Sequence, residues 1–308
     1  MENRTAVMEF ILLGFTNDRR LQLLIFVVLL VAYLFTIVGN VLIITITLVD
    51  CCLQTPMYYF LRNFSLLEII FTSVIIPKAL ANMALGGQTI SLIGCFAQSF
   101  LYFILGTTEF LLLAVMSFDR YVAICNPLRY TAIMSSQVCT LLALSSWIGG
   151  ILFIIAPMIV LLQLPFCGPN VINHFFCDST PLIKLACADT WLIECMGFIT
   201  ALLSVLGTLA ISLVSYIKII STVMHVPSAQ GRHKAFSTCS SHITVVSITY
   251  GSCIFMYVKP MWSGGLELSK VVALLNTVVS PLLNPFIYSL RNKQVQDAVR
   301  KSKEFLSI

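Results

Sequence analysis

The sequence predicts an all-α membrane protein, a seven-transmembrane helix bundle followed by a short amphipathic C-terminal helix. Three observations carry that expectation. Of 308 residues, 58% are hydrophobic and only 10% charged, with a mean hydropathy of +0.96. Soluble chains are about 45–50% apolar, so lipid must solvate much of this surface. No Asp, Glu, Lys or Arg interrupts Leu21–Val49, Val138–Leu162, Cys195–Ile217, Ala235–Val258 or Val271–Leu290, and each is long enough for a hydrocarbon core that takes roughly 20 helical residues. Two further spans, Pro56–Ile76 and Leu92–Phe118, carry one acid each, Glu68 and Glu109. Apolar runs of this length, without alternation, fit helices and not a barrel.

The elements follow in order. Residues 1–22 form an N-terminal segment, 23–291 the seven-helix domain and 292–308 a tail. The opening "MENRTAVMEFILLGF" has acids near its start and too short an apolar patch for a cleavable signal, so the first span is expected to act as its own insertion signal. The connections are short apart from Gln163–Glu194, which holds three cysteines; a loop of that length is usually functional. The third inner connection, around Arg232, His233 and Lys234, is basic and suits anionic headgroups or an acidic partner. After Asn292, Val295, Val299 and Leu306 recur among Lys and Arg, the pattern of a helix lying on a membrane. The tail has no cysteine, so no palmitoyl anchor is expected there. No soluble catalytic domain or repeat stands out.

Seven spans put the termini on opposite faces. With the C-terminus cytoplasmic, eleven of the 18 Lys and Arg fall inside and seven outside, the direction of the positive-inside rule. Asn3, in "NRT", is then an extracellular glycosylation sequon, whereas Asn63, in "NFS", falls at the inner end of the second span. Cys95, Cys167, Cys177 and Cys187 fall on the outer, oxidising side; four cysteines allow two disulfides in three pairings. A Cys95–Cys177 bond would pull the long loop over the mouth of the bundle. The expected location is the plasma membrane, with the N-terminus extracellular.

Asp119 and Arg120, in "MSFDRYVAIC", stand at the end of the third span, where charge is costly and usually functional. Arg120 has five donors and cannot be deprotonated, so it needs partners in any state. On "DRY" alone, an interfacial arginine reaching for lipid phosphates and a two-state switch are equal readings. More strings accompany it in order: "GN" at Gly39–Asn40, "TPMYYFL" from Thr55, "SY" at Ser215–Tyr216, "KAFSTCSSH" from Lys234 and "PLLNPFIYSLRN" from Pro281. Together, over nearly the whole chain, they resemble a vertebrate odorant receptor of the terrestrial-type class, within the rhodopsin-like G-protein-coupled receptors. "KAFSTCSSH" and "HFFCD" at His174–Asp178 are the strings that separate odorant receptors from other rhodopsin-like receptors.

The resemblance implies roles residue by residue. Asp119, Arg120, Tyr121, Tyr216, Asn284, Pro285 and Tyr288 would form the coupling switch. Asp119 would hold Arg120 at rest, and Arg120 would meet Tyr216 and Tyr288, or carbonyls of an inserted G-protein helix, when the bundle opens. Pro285 would bend the seventh span near Tyr288. Asn40, Glu68, Glu109 and Asn284 would hold a sodium ion; the alternative is that one or both acids are neutral and hydrogen-bonded. Ligand-facing positions would be Tyr102, Phe103, Gly106, Thr107, Thr200, Ser204, Tyr250, Cys253, Tyr257 and Thr277. Their spacing by three and four puts each set on one helical face. This uncharged, aromatic lining suits a small, mostly apolar, neutral ligand. Tyr102 stands where an amine receptor would need an acid, which disfavours a charged amine. Thr249 stands where many odorant receptors have Phe, a departure from the family pattern beside Tyr250 that bears on any toggle role for that residue. With this reading goes the pairing Cys95–Cys177 and Cys167–Cys187, the other two remaining open.

The implied partners are a small-molecule odorant, membrane lipids and a heterotrimeric G protein of the stimulatory, olfactory type that raises cAMP; no nucleic acid is expected. No cofactor or metal is expected beyond a structural or allosteric sodium ion, and no catalytic residues. The histidines show no metal-binding spacing such as HExxH, and Cys177 of "HFFC" reads as a disulfide partner. A transporter or channel would show repeats, broken helices or polar pore rings. A non-olfactory chemosensor for another small molecule is the nearer alternative.

Overall fold

The computed structural model describes residues 8–16, 18–167, 170–258 and 265–290. Seven helical spans cross it. The first is α1 (Arg19–Val49), the second α2 (Pro56–Leu85) and the third α3 (Leu92–Cys125). After a single turn, α4 (Tyr130–Ile133), the fourth span is α5 (Ser136–Gln163). The long loop carries a short α6 (Ser179–Ile183), and the fifth span joins α7 (Trp191–Ala201) to α8 (Gly207–Met224) through one π-helical turn. The sixth is α9 (Ala229–Val258); the seventh joins α10 (Gly265–Leu274) to α11 (Ser280–Leu290) through a second π turn. Six of the spans are long and apolar enough to cross a membrane by length and composition.

The helix starts are chemically marked. Asp18 caps α1 by accepting from the Arg20 amide at 2.9 Å, and Ser91 caps α3 by accepting from Gly94 at 3.1 Å. Pro56 opens α2, where its missing donor costs nothing. α1 starts at Arg19, four residues before the expected boundary at 23, because Asp18 can cap it there. α2 and α3 run past their expected ends at Ile76 and Phe118, because charged and polar residues such as Lys78, Asn82 and Arg120 continue the helix beyond the apolar run. In lipid every polar group needs a partner, and the interior hydroxyls find one four residues back: Thr36 on Ala32 O, Thr72 on Glu68 O and Ser117 on Leu113 O, all within 2.9 Å.

Packing runs around a ring. α1 lies on α2, α2 on α3, α8 on α9, α9 on α11 and α11 back on α1, with α3 also against α5 and α8. Spans two and three are therefore the buried centre, 56% buried in their apolar windows against 17% for the first. Gly39 is where α1 meets α11: a Cβ there would sit 2.9 Å from the Pro285 Cβ. Asn63 packs inside, accepting from the Trp147 indole at 3.4 Å and donating to Tyr59 O at 3.0 Å.

A small sheet closes one end of the bundle. Strand β1 (Glu9–Leu12) pairs antiparallel with β2 (Thr89–Ser91), Phe10 opposite Ile90, and parallel with β3 (Val171–Ile172), Leu12 opposite Ile172. The sequence-based expectation for this N-terminal segment is an extracellular stretch with a sequon and no cleavable signal, without a strand. Four residues carry too little periodicity to announce a strand, and its partners lie far along the chain. Phe10 and Leu12 are buried with Ile90, Phe96, Met158 and Leu161 beneath the sheet. Asn3 and the expected tail helix at 292–308 lie outside the described residues.

Candidate functional site

The sheet end is tied covalently. Cys95, at the start of α3, is bonded to Cys177 of the long loop, and Cys167 to Cys187 within that loop. Gln98, one turn along α3, fastens the first bridge: its Nε2 donates to Val74 O and its Oε1 accepts from the Cys177 amide, both at 3.0 Å. The loop therefore lies pressed on spans two and three. His174, Phe175 and Phe176 are all buried there, with His174 stacked on Phe175 at 4.7 Å and Phe15 on Phe175 at 4.4 Å. Burial first, and the nearby Lys270 second, lower His174 to about 3, so it is neutral at physiological pH. Burial raises the loop's Asp178 to about 6.

Below this lid lie the expected ligand-facing residues. Tyr102 stacks on Phe71 at 5.3 Å, meets Phe176 at 4.8 Å and stands edge-on to Phe103 at 5.1 Å. Tyr250 and Cys253 share one apolar cluster with Leu105 and Val205, and Tyr102 packs against it. Thr107 and Ser204 are buried, and Thr200 is half-buried with its carbonyl accepting from Ser204 at 2.7 Å. Thr277 is fully buried and donates to Ala273 O at 2.8 Å. Ser204 and Thr277 each sit in a π turn, Leu202–Leu206 and Leu275–Val279, features that recur at functional sites. Gly106 is half-buried, and a Cβ built on it would meet no atom within 4 Å, so the third span borders open space here. The Tyr257 side chain lies outside the described set. Lys270, at the start of the seventh span, is buried and was absent from the sequence-predicted lining.

Midway down, Glu68 Oε1 accepts from Asn284 Nδ2 at 2.6 Å, joining spans two and seven. Thr249 donates to Glu109 at 3.4 Å, joining spans six and three. Thr249, the departure noted above, thus has a partner that phenylalanine could not supply. Asn40 instead donates to Thr36 O of its own helix at 2.9 Å. Glu68 Oε2, Asn40 Oδ1 and Ser280 Oγ are buried oxygens with no hydrogen-bond partner. No cluster of three or more His, Cys, Asp or Glu occurs among the described residues; a hard cation here would have to draw on these neutral and carboxylate oxygens.

At the opposite end from the sheet, Asp119 and Arg120 are both buried, 0% and 8% exposed, and paired with each other. Arg120 donates from Nε to Asp119 Oδ2 at 3.0 Å and from Nη2 to the same oxygen. The other carboxylate oxygen, Oδ1, accepts from the Tyr130 hydroxyl at 2.8 Å. Tyr130 opens α4 and was missed from sequence. Burial, then the Asp119 charge, raise its phenol above the ordinary value, so it stays a donor. Tyr216 does not meet Arg120: its hydroxyl is hydrogen-bonded to His242 Nδ1. Tyr288 is buried with its hydroxyl unpartnered, and Ser241 donates to Ile287 O at 3.1 Å beside it. Tyr121 packs against Ile219, Val223 and Cys239. Leu128, in the turn between α3 and α4, is 98% exposed at this face.

This bundle, with a charged pair buried at one end and a disulfide-tied loop over the other, defines a seven-helix membrane receptor of the rhodopsin-like type. Its fold matches the crystal structure of squid rhodopsin with a TM-score of 0.75 over 92% of this chain and 81% of that one, at 17% identity. Residues 29–304 match the olfactory receptor family. Among relatives, Olfactory receptor 6E1 of Mus musculus is 63% identical over 98% of this chain and 96% of its own length. Olfactory receptor 6C75 of Homo sapiens is 56% identical over 97% and 96%. The chain belongs to the olfactory receptor family: it is a multi-pass membrane receptor of the G-protein-coupled class and not an enzyme.

Proposed function

We propose that this receptor binds a small, mostly apolar, neutral odorant between spans three, five, six and seven, and activates a stimulatory G protein that raises cAMP at the plasma membrane. The N-terminus and the Cys177 loop face outward in this reading, and the Asp119–Arg120 end faces the cytoplasm. The observation that carries it is the arrangement of Arg120. Asp119, itself held by Tyr130, occupies the guanidinium, while His242 occupies Tyr216. The two groups that would meet in an open bundle are each held by another partner, as a resting two-state switch requires.

Tyr102, Phe103, Thr107, Ser204 and Tyr250 supply aromatic surface and a few hydroxyls, and the space beside Gly106 supplies room. A ligand wedged there presses on spans five and six, whose inner ends hold the Tyr216–His242 pair. Separating that pair frees Tyr216 for Arg120 and opens the inner face. Leu128 and the exposed guanidinium then become docking surface for a G-protein helix.

Glu68, Asn40, Asn284 and Ser280, with Glu109 across the bundle, offer oxygen donors suited to a sodium ion favouring the closed state. Signalling insensitive to sodium, with Glu109→Gln leaving basal activity unchanged, would overturn the ion.

The test is cAMP output from cells expressing the chain with a stimulatory G protein, screened against neutral volatile ligands. A ligand-dependent rise, abolished by Arg120→Ala and weakened by Gly106→Val at equal surface level, is expected. Ligand-driven flux without G-protein dependence would refute the reading, as would a response confined to charged amines.

A further inference from the structure

Seven cysteines remain free, and two differ from the rest. Cys51 and Cys52 are both exposed, whereas Cys125 and Cys195 are half-buried and Cys139, Cys239 and Cys253 are buried. The exposed two form one 3-10 turn with Leu53, joining spans one and two at the Arg120 end. The turn is held in a fixed sense. Asp50 accepts from the Cys52 amide at 2.8 Å, and the Leu53 amide donates to Asp50 O at 3.0 Å. Leu53 is 1% exposed, inserted among Met57, Tyr58 and Leu61 of the main core. With the turn's one apolar side chain anchored inward, both thiols face out. Immediately before them the first span ends in Leu48 and Val49, 54% and 74% exposed. In a membrane helix those side chains face acyl tails, so the thiols stand one turn from the lipid boundary. Cys125 lies at the same end but is engaged with the Thr222 hydroxyl at 3.2 Å, across spans three and five.

We propose that the Cys51–Cys52 turn is a site of S-acylation by a long-chain fatty acid, which pins the connection between spans one and two to the membrane. The proposal rests on the orientation given above, which puts the turn in the cytosol, where acyl-CoA and acyltransferases are found. A cysteine thiolate attacks the thioester carbonyl of a long-chain acyl-CoA. A new sulfur–carbon bond forms, the bond to coenzyme A breaks, and coenzyme A leaves as the thiol, taking up the proton that the cysteine lost. No oxidant is consumed. Juxtamembrane cysteines are the usual targets of this reversible modification. One acyl chain gives only marginal membrane binding by itself, so in a chain already inserted its effect is local: it restrains the turn and the start of α2 without deciding whether the protein stays in the bilayer.

The experiment feeds an alkyne analogue of palmitate to mammalian cells expressing the full chain. Hydroxylamine-sensitive label should map by mass spectrometry to the peptide containing residues 51 and 52 of the unaltered receptor. It should be lost in C51S/C52S and kept in C125S. Absence of acyl label on that peptide, or label persisting in the double variant, would overturn the proposal. Because the peptide is mapped in the unaltered chain, a folding defect in the variant does not decide the result. Orientation is read separately. With acyl transfer inhibited, a membrane-impermeant maleimide should reach Cys51 and Cys52 only after permeabilisation. Labelling of intact cells would overturn the orientation and the proposal together, whereas cytosolic thiols without acyl label would overturn the proposal alone.

Discussion

Replacing Tyr130 by phenylalanine removes one hydroxyl and keeps the ring. In the structure, taken as the resting state of the proposed switch, that hydroxyl donates to Asp119 Oδ1 at 2.8 Å, while Arg120 uses Oδ2. Tyr130 thus steadies the carboxylate that restrains the arginine. A hydrogen bond to a charged group contributes about 1.5–3 kcal/mol, and Tyr130 is only half-buried, so the lower end applies. A loss of about 1.5 kcal/mol from the resting state alone is roughly a tenfold shift toward the open one. An open state populated at about 1% without ligand would rise to about 10%. The assay is ligand-free cAMP in cells expressing the stimulatory G protein, normalised to receptor counted at the surface. Tyr130→Phe should raise it roughly tenfold, by the same conversion, and leave less room for further ligand stimulation. Basal output equal to the unaltered receptor at matched surface level would refute the assignment of Tyr130 to the resting restraint. A fall would point instead to a contact made in the open state.

Three further outcomes follow from other parts of the molecule. Lowering of His174 to about 3 means its contribution to loop stability is full above about 6.5 and is lost as pH falls toward 3, whereas Asp178, raised to about 6, gains stability for the loop as pH falls through that value. The slopes oppose at about 1.4 kcal/mol per pH unit each, so Asp178→Asn should make the loop acid-labile and His174→Phe should make it acid-stabilised, read by hydrogen exchange at neutral and mildly acidic pH; identical pH responses in all three proteins would count against both. Gly150→Ala would put a Cβ 2.1 Å from Thr108 Oγ1 and 2.8 Å from Ile104 O, an overpacking of about 1–3 kcal/mol, so thermal stability in detergent should fall and Thr108→Ala should partly restore it. Leu128→Ala, at a 98% exposed position on the proposed docking face, should lower maximal cAMP without changing ligand affinity or stability; an unchanged maximum would remove Leu128 from that surface.

The spans were legible because each is a long apolar run, and lipid permits few other solutions for such a run. Asp119 and Arg120 were legible for a different reason: they are adjacent, and charge at a span end is rare enough to notice. Tyr130 was not, although it lies only eleven positions along the chain from Asp119. The turn through Pro127–Arg129 brings it back, and loop geometry leaves no periodic trace. The same limit hid β1, whose ladder partners lie near residues 90 and 171. In the ligand region, helical spacing grouped residues by face but could not say how the faces meet. It therefore missed Lys270, which reads as a span-end residue in the sequence and is buried in the bundle.

The two ends of the bundle are held by different kinds of bonds. At the sheet end two disulfides, a three-stranded ladder and both ends of the Gln98 amide fix the loop to spans two and three. Moving that loop as a body means breaking several of these at once. At the Arg120 end each restraint is a single side-chain pair: Asp119 with Tyr130, Arg120 with Asp119, Tyr216 with His242. Each can exchange partners without unfolding anything. Between them, the polar links across the bundle run from Thr249–Glu109 (spans six and three) to Asn284–Glu68 (seven and two) and Ser117–Ser212 (three and five, 3.0 Å). Spans three, five and six are thus coupled to one another in the middle, and span seven to span two, whereas the first span is only 17% buried in its apolar window. In the proposed mechanism a ligand below this tied loop would have little to displace upward, so its strain would be relieved by spans five to seven moving at their inner ends, where single side-chain pairs resist.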